Sequence, residues 1–225
     1  MQNAQLRSQL LARWKILIAS MAFLCYAQTI GFPFAYDDQF LIGNNVYITS
    51  FRYLPRFFTM HLWDSYDVHM VSIYRPLLLT WSLINHALFG LNPIGWHLTN
   101  VLLHALATYL VCVLAEKFSK DRAIGILAGL IFALHPVHIE VVAWASAASD
   151  TLLTIFIVGS LICFLTACDR QGYRRWQWWA WLLYAAALLT KEPAVMMPAL
   201  IFGVAWLRRS PEESFRTKIL TALKN

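Results

Sequence analysis

Residues 76–115 read PLLLTWSLINHALFGLNPIGWHLTNVLLHALATYLVCVLA, 40 positions without a charged side chain. A helix needs about 20 residues to cross the hydrocarbon core. The run is therefore long enough for two crossings, and Gly90-Leu91-Asn92-Pro93 breaks it in the middle. How it is read decides the topology of everything that follows. If 76–90 does not cross, one side of the membrane receives Arg7, Arg13, Lys15, Lys117, Lys120, Arg122, Arg170, Arg174, Arg175, Arg208, Arg209, Arg216, Lys218 and Lys224. Only Arg52, Arg56, Arg75 and Lys191 fall on the other side, a division of 14 against 4. If 76–90 crosses, the division inverts. Cytoplasmic loops carry the basic excess, so the first reading holds and puts the N-terminus in the cytoplasm. The segment 76–90 then reads as a juxtamembrane or re-entrant helix, with Ser82, Asn85 and His86 on one interfacial side.

The rest of the chain agrees. It is 59% hydrophobic and only 13% charged, where a soluble domain has roughly 25% charged residues. Charge-free runs cover 16–36, 76–115, 123–139, 151–168, 176–190 and 193–207. The fold class is all-α, a polytopic helical membrane protein. It has about six transmembrane helices, plus juxtamembrane helices in a large first outer loop, residues 36–92. The last two runs, near 15 residues each, are short spans. Phe51 to Met60, aromatic and basic, reads as a short helix on the membrane, and Trp176, Trp178 and Trp179 as an interfacial belt. The net charge of +6 lies in short loops, as topology signals do, which excludes a nucleic-acid surface. Cys25, Cys112, Cys163 and Cys168 lack CxxC spacing and read as small buried apolar residues. The basic residues before the first run mimic a signal peptide, but its length favours an uncleaved helix. No Asn-x-Ser/Thr acceptor occurs. Residues 1–225 read as one membrane domain, the N-terminal part of a larger architecture.

The outer side gathers Asp37, Asp38, Arg75, His135, His138, Glu140, Asp150, Lys191 and Glu192. Ionisable groups at membrane depth are costly and mark function. Carboxylates with cations suit a general base and an anionic leaving group. Each residue also has a simpler reading. Asp37-Asp38 fits a solvated helix end, Arg75 an interfacial anchor, Asp150 an N-cap, and Lys191-Glu192-Pro193 a hairpin with a local ion pair. His135-x-x-His138-x-Glu140 has metal-like spacing, but Pro136 interrupts the turn. His97 and His104 share one helical face and read as core hydrogen-bonders.

Several strings together resemble the GT-C membrane glycosyltransferases. They are Tyr36-Asp37-Asp38, Tyr74-Arg75-Pro76-Leu77, Phe89-Gly90-Leu91-Asn92-Pro93, His97 to His104, Phe132 to Glu140, and Thr190-Lys191-Glu192-Pro193. Within that superfamily the chain is most similar to the O-mannosyltransferase-type proteins with tetratricopeptide repeats. The resemblance implies transfer of a sugar such as mannose from a polyprenyl-phosphate donor to a hydroxyl acceptor, protein Ser or Thr included, with inversion. It implies catalytic roles for Asp37 and Asp38. It implies donor or lipid-phosphate contacts for Arg75, Lys191, His135, His138, Glu140 and Asp150. A divalent cation, if one is used, would fall to Asp38, His138 and Asp150. The site would face the periplasm or lumen, in a bacterial inner membrane or endoplasmic reticulum. The implied partners are the bilayer, the donor and the acceptor, with no nucleic acid. The family's arginine before the second acid is absent from Ala147-Ala148-Ser149-Asp150. Two other classes compete: a non-catalytic scaffold or truncated pseudoenzyme, and a transporter fragment. The latter predicts charges continuing through the helices, which are charge-free.

Overall fold

A computed structural model describes residues 2–65, 72–169 and 174–208. Arg170, Arg209, Arg216, Lys218 and Lys224 of the basic set lie outside the described residues. The helices are α1 (Gln2–Tyr26), α2 (Pro76–Phe89), α3 (Pro93–Ser119), α4 (Arg122–Leu134), α5 (Ile139–Ala143), α6 (Ala148–Asp169), α7 (Arg174–Leu188) and α8 (Met197–Leu207). Short 3-10 turns fill much of the first loop, and no strand occurs among the described residues.

Three segments are long and apolar enough to cross a membrane: Arg13–Gly31, Pro93–Ser119 and Ala145–Asp169. The pair Arg122–Leu134 and Pro136–Ala143, bent by 48°, passes the same test only when its two helices are taken together, as a broken span or a re-entrant loop. The bend has a local cause, because Pro136 lacks an N–H and pushes His135 out of the helical region. The two runs expected to be short are short. α7 has 15 residues and α8 has 11. The chain is an integral membrane protein. Its helices turn apolar side chains outward, Leu17, Leu24, Leu127 and Ile131 among them, as a lipid solvent requires. Small residues let α3 and α4 approach, since a Cβ at Gly129 would collide with Cys112 Sγ. Of the cysteines, Cys112 and Cys163 are buried, whereas Cys25 and Cys168 are exposed.

Contacts along the helices give the bundle two distinct ends. Lys15, near the start of the span Arg13–Gly31, pairs with Glu116 near the end of α3. Lys117 and Arg208 both pair with Asp169 at the end of α6. At the opposite end, the Tyr26 hydroxyl donates to the His135 carbonyl at 2.7 Å. There Lys191, after α7, meets Asp150 in the first turn of α6.

Both ends of α2 attach to this second end. Leu77 N–H, in its first turn, donates to Leu189 O at 3.1 Å. Gly90 O, just past its last turn, accepts from Trp96 Nε1 at 3.0 Å. α2 therefore lies across one end of the bundle rather than through it, as the charge division predicts. It begins at Pro76, which suits the first helical position. It ends at Gly90, whose φ of 58° only glycine adopts without strain. One expectation is corrected. Ser82 and Asn85 do not face the interface; they are buried. Asn85 Oδ1 accepts from Thr99 Oγ1 on α3 at 2.7 Å, while Leu88 faces outward, 67% exposed. Polar groups near lipid turn inward where a partner exists.

Phe51 to Met60 does form a short helix, 3-10 over Phe51–Phe58. Ser50 caps it by accepting from Arg52 N–H at 3.5 Å. Arg52 and Arg56 lie over the Tyr53 and Tyr47 rings. Trp178 and Trp179 are exposed in the first turns of α7, as a belt would be, whereas Trp176 is half-buried.

Candidate functional site

The chain leaves α1 through a 3-10 turn, Ala27–Gly31, and reverses at Tyr36, whose φ is 49°. A bulky non-glycine residue in the left-handed region carries strain. The turn throws the two aspartates onto different paths. Asp38 is fully buried. Its Oδ2 accepts from Ala35 N–H at 3.1 Å and its Oδ1 from Ser146 N–H at 2.7 Å. A carboxylate satisfied by backbone donors is a clamp, here joining the first loop to the 3-10 turn Ala145–Ala147. Asn100 of α3 fixes the same turn, donating from Nδ2 to Trp144 O at 2.9 Å. Asp37 is half-buried and lines a pocket of about 260 Å³.

Arg75, Glu140, Asp150 and Lys191 line the same pocket, so the first loop, α2, α5, α6 and the end of α7 all converge there. Lys191 Nζ donates to both oxygens of Asp150 at 2.6 Å. Arg75 grips Glu192 with two bonds, Nε to Oε1 at 3.2 Å and Nη2 to Oε2 at 3.0 Å. The expected local Lys191–Glu192 pair is thus replaced by two pairs reaching to other elements. The extended backbone of Lys191 sends neighbouring side chains to opposite sides. Asp150 lies in the first turn of α6 rather than at its N-cap. Burial pushes the Glu192 carboxyl up. The Arg75 guanidinium, its own backbone N–H and Lys191 outweigh this and hold it below its ordinary value. Asp37 and Glu140 have no ion-pair partner among the described residues.

An apolar groove of about 450 Å³ adjoins the polar pocket, bordered by Phe32, Tyr36, Ala143 and Trp144. Glu140 and Trp144 belong to both. Together they form an amphipathic cleft with carboxylates and cations at one end and aromatic surface at the other.

The histidines do not join the pocket. The His135 Nδ1 caps its own turn, accepting from Val137 N–H at 3.2 Å. His138 packs at a tilt on Phe132, ring centroids 4.4 Å apart, and lies 5.1 Å from the His104 ring. His97 and His104 are buried, with the backbone carbonyls of Pro33 and Phe32 beside the His97 ring and that of Ala133 beside His104. No well-aligned hydrogen bond reaches either His97 ring nitrogen or His104 Nε2 among the described residues. Asp38, His138 and Asp150 do not assemble a metal trio. Among the described residues no three His, Cys, Asp or Glu side chains gather to hold a metal ion.

Sequence reasoning missed Trp144, the Ser146 N–H and Tyr36. Backbone donors leave no sequence signature, although Tyr36 directly preceding an acid pair is a visible cue.

The fold and cleft define a membrane-embedded helical protein with an acid-and-cation pocket at one end of its bundle. Comparison with known proteins gives its relationship. Residues 74–223 match the dolichyl-phosphate-mannose-protein mannosyltransferase family, and the chain belongs to that family. The matched region starts at Tyr74, so it contains Arg75, Asp150 and Lys191 but not Asp37 or Asp38. The chain is 32% identical over 191 residues to protein O-mannosyl-transferase TMTC2 of human and of mouse. It is 33% identical over 187 residues to protein O-mannosyl-transferase Tmtc1 of Drosophila melanogaster. These alignments cover 82% and 79% of the chain but only 23% and 21% of the relatives. The chain thus spans about a quarter or less of the curated relatives it matches. No solved structure matches it.

Proposed function

We propose that this chain carries the donor site of a membrane glycosyltransferase. The enzyme moves a hexose, mannose by its relatives' names, from a polyprenyl phosphate to a hydroxyl on an acceptor such as protein Ser or Thr. The observation that carries this reading is the cleft. Arg75 and Lys191 stand in one pocket with a half-buried, unpaired carboxylate, Asp37, and an apolar groove opens beside it.

In this mechanism the acceptor oxygen attacks the anomeric carbon from the side opposite the phosphate. The anomeric C–O bond to phosphate breaks and lipid phosphate leaves with the electron pair. Asp37 takes the hydroxyl proton. Arg75 and Lys191 stabilise the charge growing on the phosphate oxygens. Asp38 keeps Asp37 and the Ser146 turn in register, and Glu140 borders both the polar and the apolar parts of the cleft. Inversion follows from a single displacement with no covalent sugar–enzyme intermediate. The pocket would face the periplasm or lumen, because the basic loops sit at the opposite end and mark the cytoplasm.

The test is a sugar-transfer assay in reconstituted membranes. Asp37→Asn is expected to lower the rate on the order of 1000-fold, the range for loss of a general base. Arg75→Ala is expected to lower it on the order of 100-fold, as for loss of one preorganised charge-stabilising donor. Near-normal rates in both variants would sink the assignment.

A further inference from the structure

We propose that Glu192 is a positioning residue for this donor site. It holds the Arg75 guanidinium so that the remaining N–H edge meets an anionic oxygen in the pocket. The inference rests on the donor-site reading above.

The geometry separates the two residues. Arg75 lines the pocket and Glu192 does not. Glu192 occupies Nε and Nη2 of Arg75. A guanidinium has five N–H donors in a rigid plane, so the Nη1 edge is left for another acceptor. An arginine gripped along one edge cannot swing about its long side chain, and its free edge then has a fixed direction. The residue before a proline is held out of the helical region, and Arg75 obeys with φ −141°. Backbone and carboxylate therefore constrain the same side chain from both ends.

A purely structural role for Glu192 is already filled by other groups. Leu77 N–H to Leu189 O ties α2 to the end of α7 through the backbone. Thr190, Ala194 and Met197 are fully buried and anchor the segment that carries Glu192. The Glu192 side chain is 56% exposed, against 17% for Arg75. So exposed an ion pair adds little to stability. What it changes is the orientation of a largely buried cation.

Lys191 shows the contrast. Its partner, Asp150, stands inside the pocket. An incoming phosphate must share Lys191 with Asp150. Arg75 keeps its partner outside the pocket and needs no exchange to receive an oxygen.

The experiment is a double-mutant cycle on the full reconstituted chain. Affinity is measured for two probes, a short-chain polyprenyl phosphate and its mannose ester. Glu192→Gln keeps the side-chain volume and removes the charge. It is expected to weaken binding of both probes about tenfold through misorientation of one bidentate group. Glu192→Asp should recover part of the loss. In an Arg75→Ala background, Glu192→Gln should have no further effect, which a merely structural role does not predict. Thermal stability at neutral pH should differ only slightly between Glu192→Gln and the unaltered chain. If Arg75→Ala weakens both probes and Glu192→Gln leaves them unchanged, the positioning role is overturned and the donor site stands. If the phosphate binds with this Glu192 dependence but the mannose ester does not, the positioning role stands and the sugar-transfer reading falls. If the unaltered chain binds neither probe, both fall together.

Discussion

The two ends of the bundle use charge in opposite ways. At the Lys15 end, Lys15 meets Glu116, and Lys117 and Arg208 share Asp169. Asp121 caps α4 by accepting from Ala123 N–H at 2.8 Å, and Arg122 rests over the Trp14 ring. Each acid there has a structural task. At the Asp38 end, four carboxylates, Asp37, Glu140, Asp150 and Glu192, stand with two cations, Arg75 and Lys191. Two acids hold the cations, two have no ion-pair partner among the described residues, and all of the group but Glu192 line one cavity.

Among the described residues, each end also holds one non-glycine residue with positive φ. Lys120, at 59°, follows the last turn of α3, and its N–H bonds Glu116 O, an ordinary left-handed helix cap. Tyr36, at 49°, caps nothing and turns the chain into Asp37. The same backbone strain serves folding at one end and placement of a carboxylate at the other. A charge cluster means function when it is incompletely neutralised around a space, and structure when every charge is used.

The sharpest way to break this contrast is at Asp38. Asp38→Ala leaves two backbone N–H groups without an acceptor. It should cost roughly 2–5 kcal/mol of stability, read from thermal unfolding in detergent, and abolish transfer as the Ser146 turn detaches. Unchanged stability would show that the clamp does not hold the turn. A smaller effect separates the two left-handed residues. Tyr36→Gly and Lys120→Gly should each raise stability by about 1 kcal/mol by removing strain. Only Tyr36→Gly should slow transfer, because it frees the backbone before Asp37. Equal activities would remove the distinction.

Acidity gives a weaker effect still. The folded-state Glu192 carboxyl titrates below its ordinary value. Its contribution is therefore complete above that ordinary value and is lost as pH falls through the lowered one. The unaltered chain should lose under about 1 kcal/mol more than Glu192→Gln on acidification through that window, the pair being exposed. The smallest effect belongs to the other end. Arg208→Ala should change stability by less than about 1 kcal/mol and leave transfer within roughly twofold.

The sequence made the large features legible for a physical reason. Lipid penalises charge so strongly that the positions of 18 basic residues determine which runs cross. That is how α2 is known to lie across the bundle before any coordinates. Arg75, Glu140, Asp150 and Lys191 are legible as one group for the same reason, since all must emerge at one face. Pairing within the face is not legible. Adjacent Lys191 and Glu192 suggest each other, but extended backbone separates them, and Asp150 of α6 and Arg75, just before α2, take one each. His135 and His138 suggest ligands by spacing, but Pro136 turns one into a cap and packs the other on Phe132. Asp37 and Asp38 read as equals, and only the turn at Tyr36 makes one a pocket acid and the other a clamp.

The most direct test of the central claim is donor binding. The purified chain, reconstituted in membranes, is titrated with a polyprenyl-phosphate mannose beside Arg75→Ala, Lys191→Ala and Lys117→Ala. The account predicts saturable binding that is lost with Arg75 or Lys191 and kept with Lys117. No binding by the unaltered chain, or equal loss from all three substitutions, would contradict it.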